Sequence, residues 1–186
     1  MSRQKFYDFT QGAVIALAQD LQSLLRLAED PDVPDEGRTL AAGAILHWLS
    51  GSNTIPGVRG GALSYVDDVL VMRLACERIG KLAPDVLERH QAESPQMLAS
   101  LEDDLALVRE QLGEGFGVIE RALDRIASIK HRGRTATQCA ADDDGLTLLY
   151  EDVQSALVDV DIEPEGVARE LKGLDELVES LSKHEA

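Results

Sequence analysis

The chain has 186 residues, of which 44% are hydrophobic, and a formal net charge of −16 at pH 7. That much apolar side chain can build a core, which excludes wholesale disorder. The negative charge argues against direct binding to nucleic acid or to anionic lipid, because both require a basic surface. It fits a protein that favours basic partners, although solubility alone is the simpler explanation.

The first half of the chain predicts four helices, because apolar residues recur at spacings of three and four. The helices are expected at about residues 9–28, 36–49, 65–79 and 84–91. The second of these is apolar almost all round, so we expect it to be buried. Gly43 within it would let a neighbouring backbone approach closely.

The second half predicts two antiparallel helical hairpins, at residues 94–130 and 146–182, joined by a linker at about 131–145. The linker has no apolar periodicity, and we expect it to be mobile. The predicted fold is therefore an all-α multi-helix bundle, with a core of residues 1–92 followed by the two hairpins of residues 93–186. The hairpins either pack on the core as one domain or form a second bundle.

Export, membrane and disulfide signals are lacking in the sequence. The opening residues have no signal-peptide core, and the longest apolar run, residues 40–49, is far shorter than the roughly 20 residues that span a bilayer. Cys76 falls in an apolar helical pattern and Cys139 in a polar stretch, and their separation is not a metal-binding spacing. The sequence therefore predicts a cytoplasmic protein with no disulfide and no membrane segment.

The stretch 47–68 is the only one dense in turn-forming residues, and it lies between two predicted helices. Ser64 and Asp67 have the spacing of a capping box, in which each side chain bonds the other residue's backbone N–H. We predict that six residues hold this loop in place or cap the next helix. These are Ser50, Asn53, Pro56, Ser64, Asp67 and Asp68.

The same stretch resembles the signature of the YkvA-like family (domain of unknown function 1232), a small bacterial helical domain. The matching residues are Leu49-Ser50, Ile55-Pro56 and Tyr65-Val66-Asp67-Asp68-Val69-Leu70. The chain departs from the pattern at four positions, Gly51, Asn53, Gly57 and Ser64. The resemblance covers about residues 40–74 and implies a helical fold without a settled activity.

The pair Asp67 and Asp68 is the first candidate for chemistry. With His47 and Asn53 it could bind a hard cation, which would suit a metal-dependent hydrolase. The alternative, which we favour, makes Asp67 a cap, leaves Asp68 bonded to the loop, and buries His47 with one hydrogen bond. No nucleophile motif or phosphate-binding loop occurs, so the sequence predicts no catalytic residue and no cofactor.

Lys130, Arg132 and Arg134 form the only basic concentration in the chain. They could contact an acidic partner, or they could fold back on the acidic residues 142–144, which we favour. The function we expect is that of a non-catalytic acidic helical protein of unknown role, which binds another protein, or itself as a homodimer, as an interaction, scaffold or regulatory protein. The alternatives are the metal-dependent hydrolase and an immunity-type inhibitor that neutralises a basic toxin.

Overall fold

The computed structural model describes residues 2–51, 54–55, 60–93 and 95–183. The predicted loop residues Asn53 and Pro56 lie outside these ranges. Within them the chain is almost wholly helical, which confirms the all-α multi-helix bundle. No helix in the described ranges is long and apolar enough to cross a membrane.

The first half contains five helices, and a 3₁₀ turn at Ala62–Tyr65 precedes the fourth. The helices are α1 (Ser2–Ile15), α2 (Leu17–Glu29), α3 (Asp35–Leu49), α4 (Val66–Leu82) and α5 (Pro84–Glu93). Ala16, whose ψ is 2°, interrupts the single helix predicted for residues 9–28 and separates α1 from α2. The prediction of one continuous helix was therefore wrong. A single residue outside helical geometry interrupts a helix, but it leaves the spacing of the apolar residues unchanged.

The second half contains shorter helices and one small β-hairpin. The helices are α6 (Pro95–Ala99), α7 (Leu101–Leu112), α8 (Phe116–Asp124), α9 (Ala136–Ala140), α10 (Asp143–Leu157), α11 (Pro164–Glu170) and α12 (Leu174–Lys183). The hairpin strands are β1 (Lys130–His131) and β2 (Arg134–Thr135). Buried apolar side chains from Phe6 to Leu181 belong to one continuous cluster.

Helix α3 lies at the centre of the bundle, between α2, α4 and α9. A Cβ atom added at Gly43 would lie 2.8 Å from Ile126 Cγ1 and 3.4 Å from the Cβ of Ala136. Gly43 therefore allows a close neighbour, as predicted, but the atoms that approach belong to side chains and not to a backbone. It lets the segment after α8 and helix α9 pack directly on α3.

The two predicted hairpins do not form as independent pairs. Helices α7 and α8 pack more extensively on α1 and α4 than on each other. Helix α10 packs on α2, α3 and α9, whereas α12 packs on α7. The apolar stripes were identified correctly, but their largest partners are the buried helices of the first half, because those helices offer apolar surface on several faces.

Residues 131–145, predicted as an irregular linker, instead form regular structure. Arg132 and Gly133 have φ values of 49° and 81°, which give the two-residue turn typical of tight hairpins. Thr135 and Gln138 then form a capping box that begins α9. Cys139 is buried in α9 rather than placed in a polar loop, and both cysteines are free. The segment is too short to show a period, so the sequence pattern missed it.

Candidate functional site

The end of α3 and the start of α4 enclose a buried polar cluster, here called the His47 cluster (His47, Thr54, Asp67 and Asp68). His47 Nδ1 lies 2.7 Å from Asp68 Oδ1, and His47 Nε2 lies 2.9 Å from Thr54 Oγ1. Asp67 Oδ2 accepts a hydrogen bond of 2.5 Å from the Thr54 N–H. The exposed fractions are 2% for His47, 0% for Asp67 and 6% for Asp68. The cluster thus joins Thr54, in the segment between α3 and α4, to both helices from inside the protein.

The charges of the His47 cluster depend on one another. Burial, reinforced by the nearby charge of Asp68, raises the pKa of Asp67 to about 7. Burial also raises the pKa of Asp68, although its hydrogen bond to His47 opposes the shift. Burial alone would lower the pKa of His47, but the hydrogen bond and charge of Asp68, together with Asp67, raise it overall. The two carboxylates thus stabilise the protonated form of the imidazole, whose Nδ1–H can donate to Asp68.

The predicted capping box between Ser64 and Asp67 does not form. Helix α4 begins at Val66 after Tyr65, with no side-chain cap. The preceding 3₁₀ turn already satisfies Ser64, whose N–H and hydroxyl both donate to the Gly61 carbonyl, at 3.1 and 2.6 Å. The Asp67 carboxylate is therefore available to the loop, and it bonds Thr54 instead.

The other predicted loop residues act at the end of α3. Ser50 Oγ donates to the His47 carbonyl at 2.8 Å. Asp68 bonds the His47 side chain rather than loop amides. His47 is buried, as predicted, but it has two polar partners where one was expected.

Thr54, His47 and Asp68 are connected in the order of a nucleophile, a base and an orienting acid. Two features oppose catalysis by this arrangement. Asp67 Oδ2 lies 3.9 Å from His47 Nε2, so a second carboxylate adjoins the place where negative charge would develop. The burial of His47 and Asp67 also means that a substrate reaches them only if the residues around them move.

The same residues are poor ligands for a metal ion. Both ring nitrogens of His47 are engaged, one by Asp68 and one by Thr54. Among the residues that the structure describes, no group of three or more His, Cys, Asp or Glu side chains could hold a metal ion. The geometry supports the loop-holding interpretation of Asp67 and Asp68.

The two arginines of the basic concentration converge on one buried carboxylate, whereas Lys130 is exposed. Asp152 on α10 is 5% exposed and accepts from Arg132 Nη1 at 2.6 Å and from Arg134 Nη2. The prediction that residues 142–144 receive these arginines was wrong, because Asp152 lies on the buried face of α10, against the β-hairpin. Asp142 instead caps α10 by accepting from the Gly145 N–H at 2.8 Å.

Sequence reasoning missed a second buried ion cluster. Arg73 on α4 donates to Asp20 at 3.0 Å, lies 3.5 Å from Asp104, and stacks its guanidinium 5.1 Å from the centre of the Phe9 ring. Burial, partly offset by Arg73, raises the pKa of Asp20 to about 6. The signal was present, since Asp20 follows Leu17 by three positions on the apolar face of α2.

A surface cleft of about 320 Å³ lies between the 3₁₀ turn and the connection from α10 to α11. We call it the acidic cleft. Tyr65 and Gly61 line one side, and the connection supplies most of the other. Its charged lining residues are Asp159, Asp161, Glu163, Arg169 and Glu170.

Comparison of the chain with known proteins identifies no relative: no family model, curated protein or solved structure matches it.

Proposed function

We propose that the chain is a non-catalytic acidic helical protein that binds another protein bearing a basic surface. The supporting observation is the way the molecule uses its charges. Asp and Glu outnumber Lys and Arg by 34 to 18. Many of the basic side chains are already held by carboxylates of the same chain, including Arg73, Arg109, Arg132 and Arg134. The remaining surface is therefore strongly negative, and it attracts positively charged partners.

The location of the polar residues supports a binding role over a catalytic one. His47 is buried, and both of its ring nitrogens are hydrogen-bonded, one to Asp68 and the other to Thr54. Lys130, Arg132 and Arg134, which the sequence offered as contacts for an acidic partner, are a weaker candidate surface because Asp152 binds the two arginines. The YkvA-like resemblance of residues 40–74 stays a prediction and adds no activity.

Affinity purification of the tagged full chain from its host, followed by mass spectrometry, tests the proposal. We expect a partner that is basic, elutes as sodium chloride is raised to about 0.5 M, and binds the purified chain again when both are pure. An inhibitor of a basic toxin is a special case and would give a toxin or nuclease as that partner. Failure to recover any partner, together with a chain that sediments as a monomer, would contradict the proposal.

The metal-dependent hydrolase is tested on the same protein by thermal denaturation. We expect Mg²⁺, Mn²⁺ and Zn²⁺ to leave the melting temperature unchanged, because no group of side chains that could hold a metal ion lies among the described residues. A metal-induced rise that disappears in Asp68→Ala would support the hydrolase instead. Glu151→Ala, at an exposed position on α10, is the control for unspecific binding to carboxylates.

A further inference from the structure

The chain holds two of its own arginines in the same way, with an aromatic ring and carboxylates. Arg73 lies 5.1 Å from the centre of the Phe9 ring and contacts Asp20 and Asp104. Arg109 lies 4.9 Å from the centre of the Phe116 ring, and one of its nitrogens is 2.9 Å from both carboxylate oxygens of Glu77.

Both sites follow from the chemistry of the guanidinium group. Its flat face is attracted to an aromatic ring, and its N–H groups donate to carboxylates. A half-buried aromatic ring beside unpaired carboxylates is therefore a suitable environment for an arginine side chain.

The acidic cleft contains the same groups without a guanidinium bound to them. Tyr65 is half-buried on one side of the cleft, and Asp159, Asp161 and Glu163 are exposed on the other. In the described part of the chain these three carboxylates form no hydrogen bond or ion pair through their side chains. Among the residues that the structure describes, Arg169 is the one basic residue in the lining, and it forms no ion pair with any of them.

The wall of the cleft beside Tyr65 is fixed in position. The Glu170 carboxylate accepts from the Ala62 N–H, which joins α11 to the 3₁₀ turn. Gly61 has a φ of 69°, and a side chain there would collide with that carboxylate. Tyr65 is followed directly by Val66, the first residue of α4. The Tyr65 side chain is partly buried and packs against the hydrophobic core, so this wall of the cleft does not need to assemble when a ligand arrives.

We propose that the acidic cleft binds an arginine side chain presented by a basic segment of the partner protein. The volume of about 320 Å³ is at the lower end of the roughly 300–1,000 Å³ typical of ligand sites, which suits one long side chain rather than a helix. Among the described lining residues, four acidic side chains against one basic one give the charge complementarity. Tyr65 favours arginine over lysine because a flat guanidinium stacks on a ring better than an ammonium does. This inference rests on the proposed function and names where the contact is made.

A labelled peptide of alternating glycine and arginine, titrated into the full chain at 0.15 M salt, tests the cleft directly. We expect the triple variant Asp159→Asn, Asp161→Asn, Glu163→Gln to weaken peptide binding at least tenfold. The matched control is Asp103→Asn, Glu176→Gln, Glu179→Gln, which removes the same charge from exposed positions on α7 and α12. It should change binding by less than threefold. Equal weakening in both variants would mean diffuse attraction and would overturn the proposal.

The role of Tyr65 is tested with Tyr65→Leu, which keeps an apolar side chain beside the core, after its melting temperature confirms folding. We expect at least fivefold weaker binding of the arginine peptide. Peptides carrying lysine or citrulline in place of arginine should bind at least fivefold more weakly to the unmodified protein. If the lysine peptide binds as tightly as the arginine peptide, guanidinium recognition is wrong.

Different results would refute the cleft and the proposed function. A host partner that binds the unmodified chain and the cleft triple variant equally well leaves the proposed function standing and refutes the cleft. Conversely, an arginine peptide that binds in the cleft while no host partner is found leaves the site standing and refutes the proposed function.

Discussion

Asp67 illustrates why a carboxylate in a helical bundle need not be a ligand or a base. Its exposed fraction is 0%, and one of its oxygens, Oδ1, has no hydrogen-bond partner among the described residues. Burying that charge costs free energy, which raises the pKa of Asp67 from its usual 3.8 to about 7. The benefit to the fold is the hydrogen bond from the Thr54 N–H, which fixes the loop.

The protonation of Asp67 makes stability depend on pH. Between about pH 4 and pH 7 the folded chain retains a proton that the unfolded chain has released. The stabilisation is complete below pH 4 and is lost as the pH rises through 7. His47 acts in the same direction, because its raised pKa stabilises the fold below its usual 6.5 and the effect is lost above its folded pKa.

The variant Asp67→Asn tests this dependence, because an amide keeps the acceptor for Thr54 without a charge to bury. We expect the free energy of unfolding, measured with urea between pH 5 and pH 8, to fall less steeply in the variant than in the unmodified chain. The variant should gain stability relative to the unmodified chain as the pH rises. Parallel curves would show that Asp67 does not titrate in this range.

The His47 cluster could be predicted only in part from the sequence. The apolar second helix indicated a buried histidine, and the position of Asp67 and Asp68 indicated a loop-holding role. Which atoms meet could not be predicted, because the 3₁₀ turn before α4 satisfies Ser64 and leaves the Asp67 carboxylate to bond Thr54. A short turn of this kind leaves no periodic pattern in the sequence.

At the scale of the elements, glycines decide how closely helices pack. Gly43 lies where α3 meets Ile126 and Ala136, whereas Gly12 on α1 has nothing within 4 Å of an added Cβ atom. Both glycines are within α-helices, so both substitutions by alanine gain the same helix propensity. The difference between them isolates packing.

We expect Gly43→Ala to destabilise the protein by about 1–3 kcal/mol, because the buried Ile126 side chain must move. Gly12→Ala should stabilise it by about 0.5–1 kcal/mol. Urea denaturation of both variants at one pH gives the two values. A Gly43→Ala variant as stable as Gly12→Ala would mean that α3 and its neighbours are further apart than the structure shows.

Helix positions were more predictable than helix partners. Spacing of apolar residues located most of the long helices, because burial of one face imposes that spacing whatever the neighbour is. The sequence could not show that α7 packs on α1 and α4, or that α8 packs on α4, since every apolar stripe is compatible with every other. The β-hairpin was missed because two strands of two residues carry no alternation.

For the molecule as a whole, net charge opposes compactness. Sixteen uncompensated negative charges repel one another in the folded state, and unfolding moves them apart. The internal ion pairs act in the opposite direction, but several of the strongest, such as Arg73 with Asp20 and Arg134 with Asp152, are largely buried. Dissolved salt screens exposed charges much more than buried pairs.

Salt should therefore stabilise this protein. Screening weakens the repulsion between exposed carboxylates on α7, α10 and α12 while leaving the buried pairs largely intact, so the melting temperature is expected to rise between 10 mM and 0.5 M sodium chloride. The triple variant Glu110→Gln, Glu151→Gln, Glu179→Gln, which removes three of these charges away from helix N-termini, should show a higher melting temperature at 10 mM salt and a smaller rise. Scanning calorimetry on both proteins measures the two effects. A melting temperature that falls with salt would mean that exposed ion pairs, such as Arg89 with Asp32, contribute more to stability than repulsion takes away.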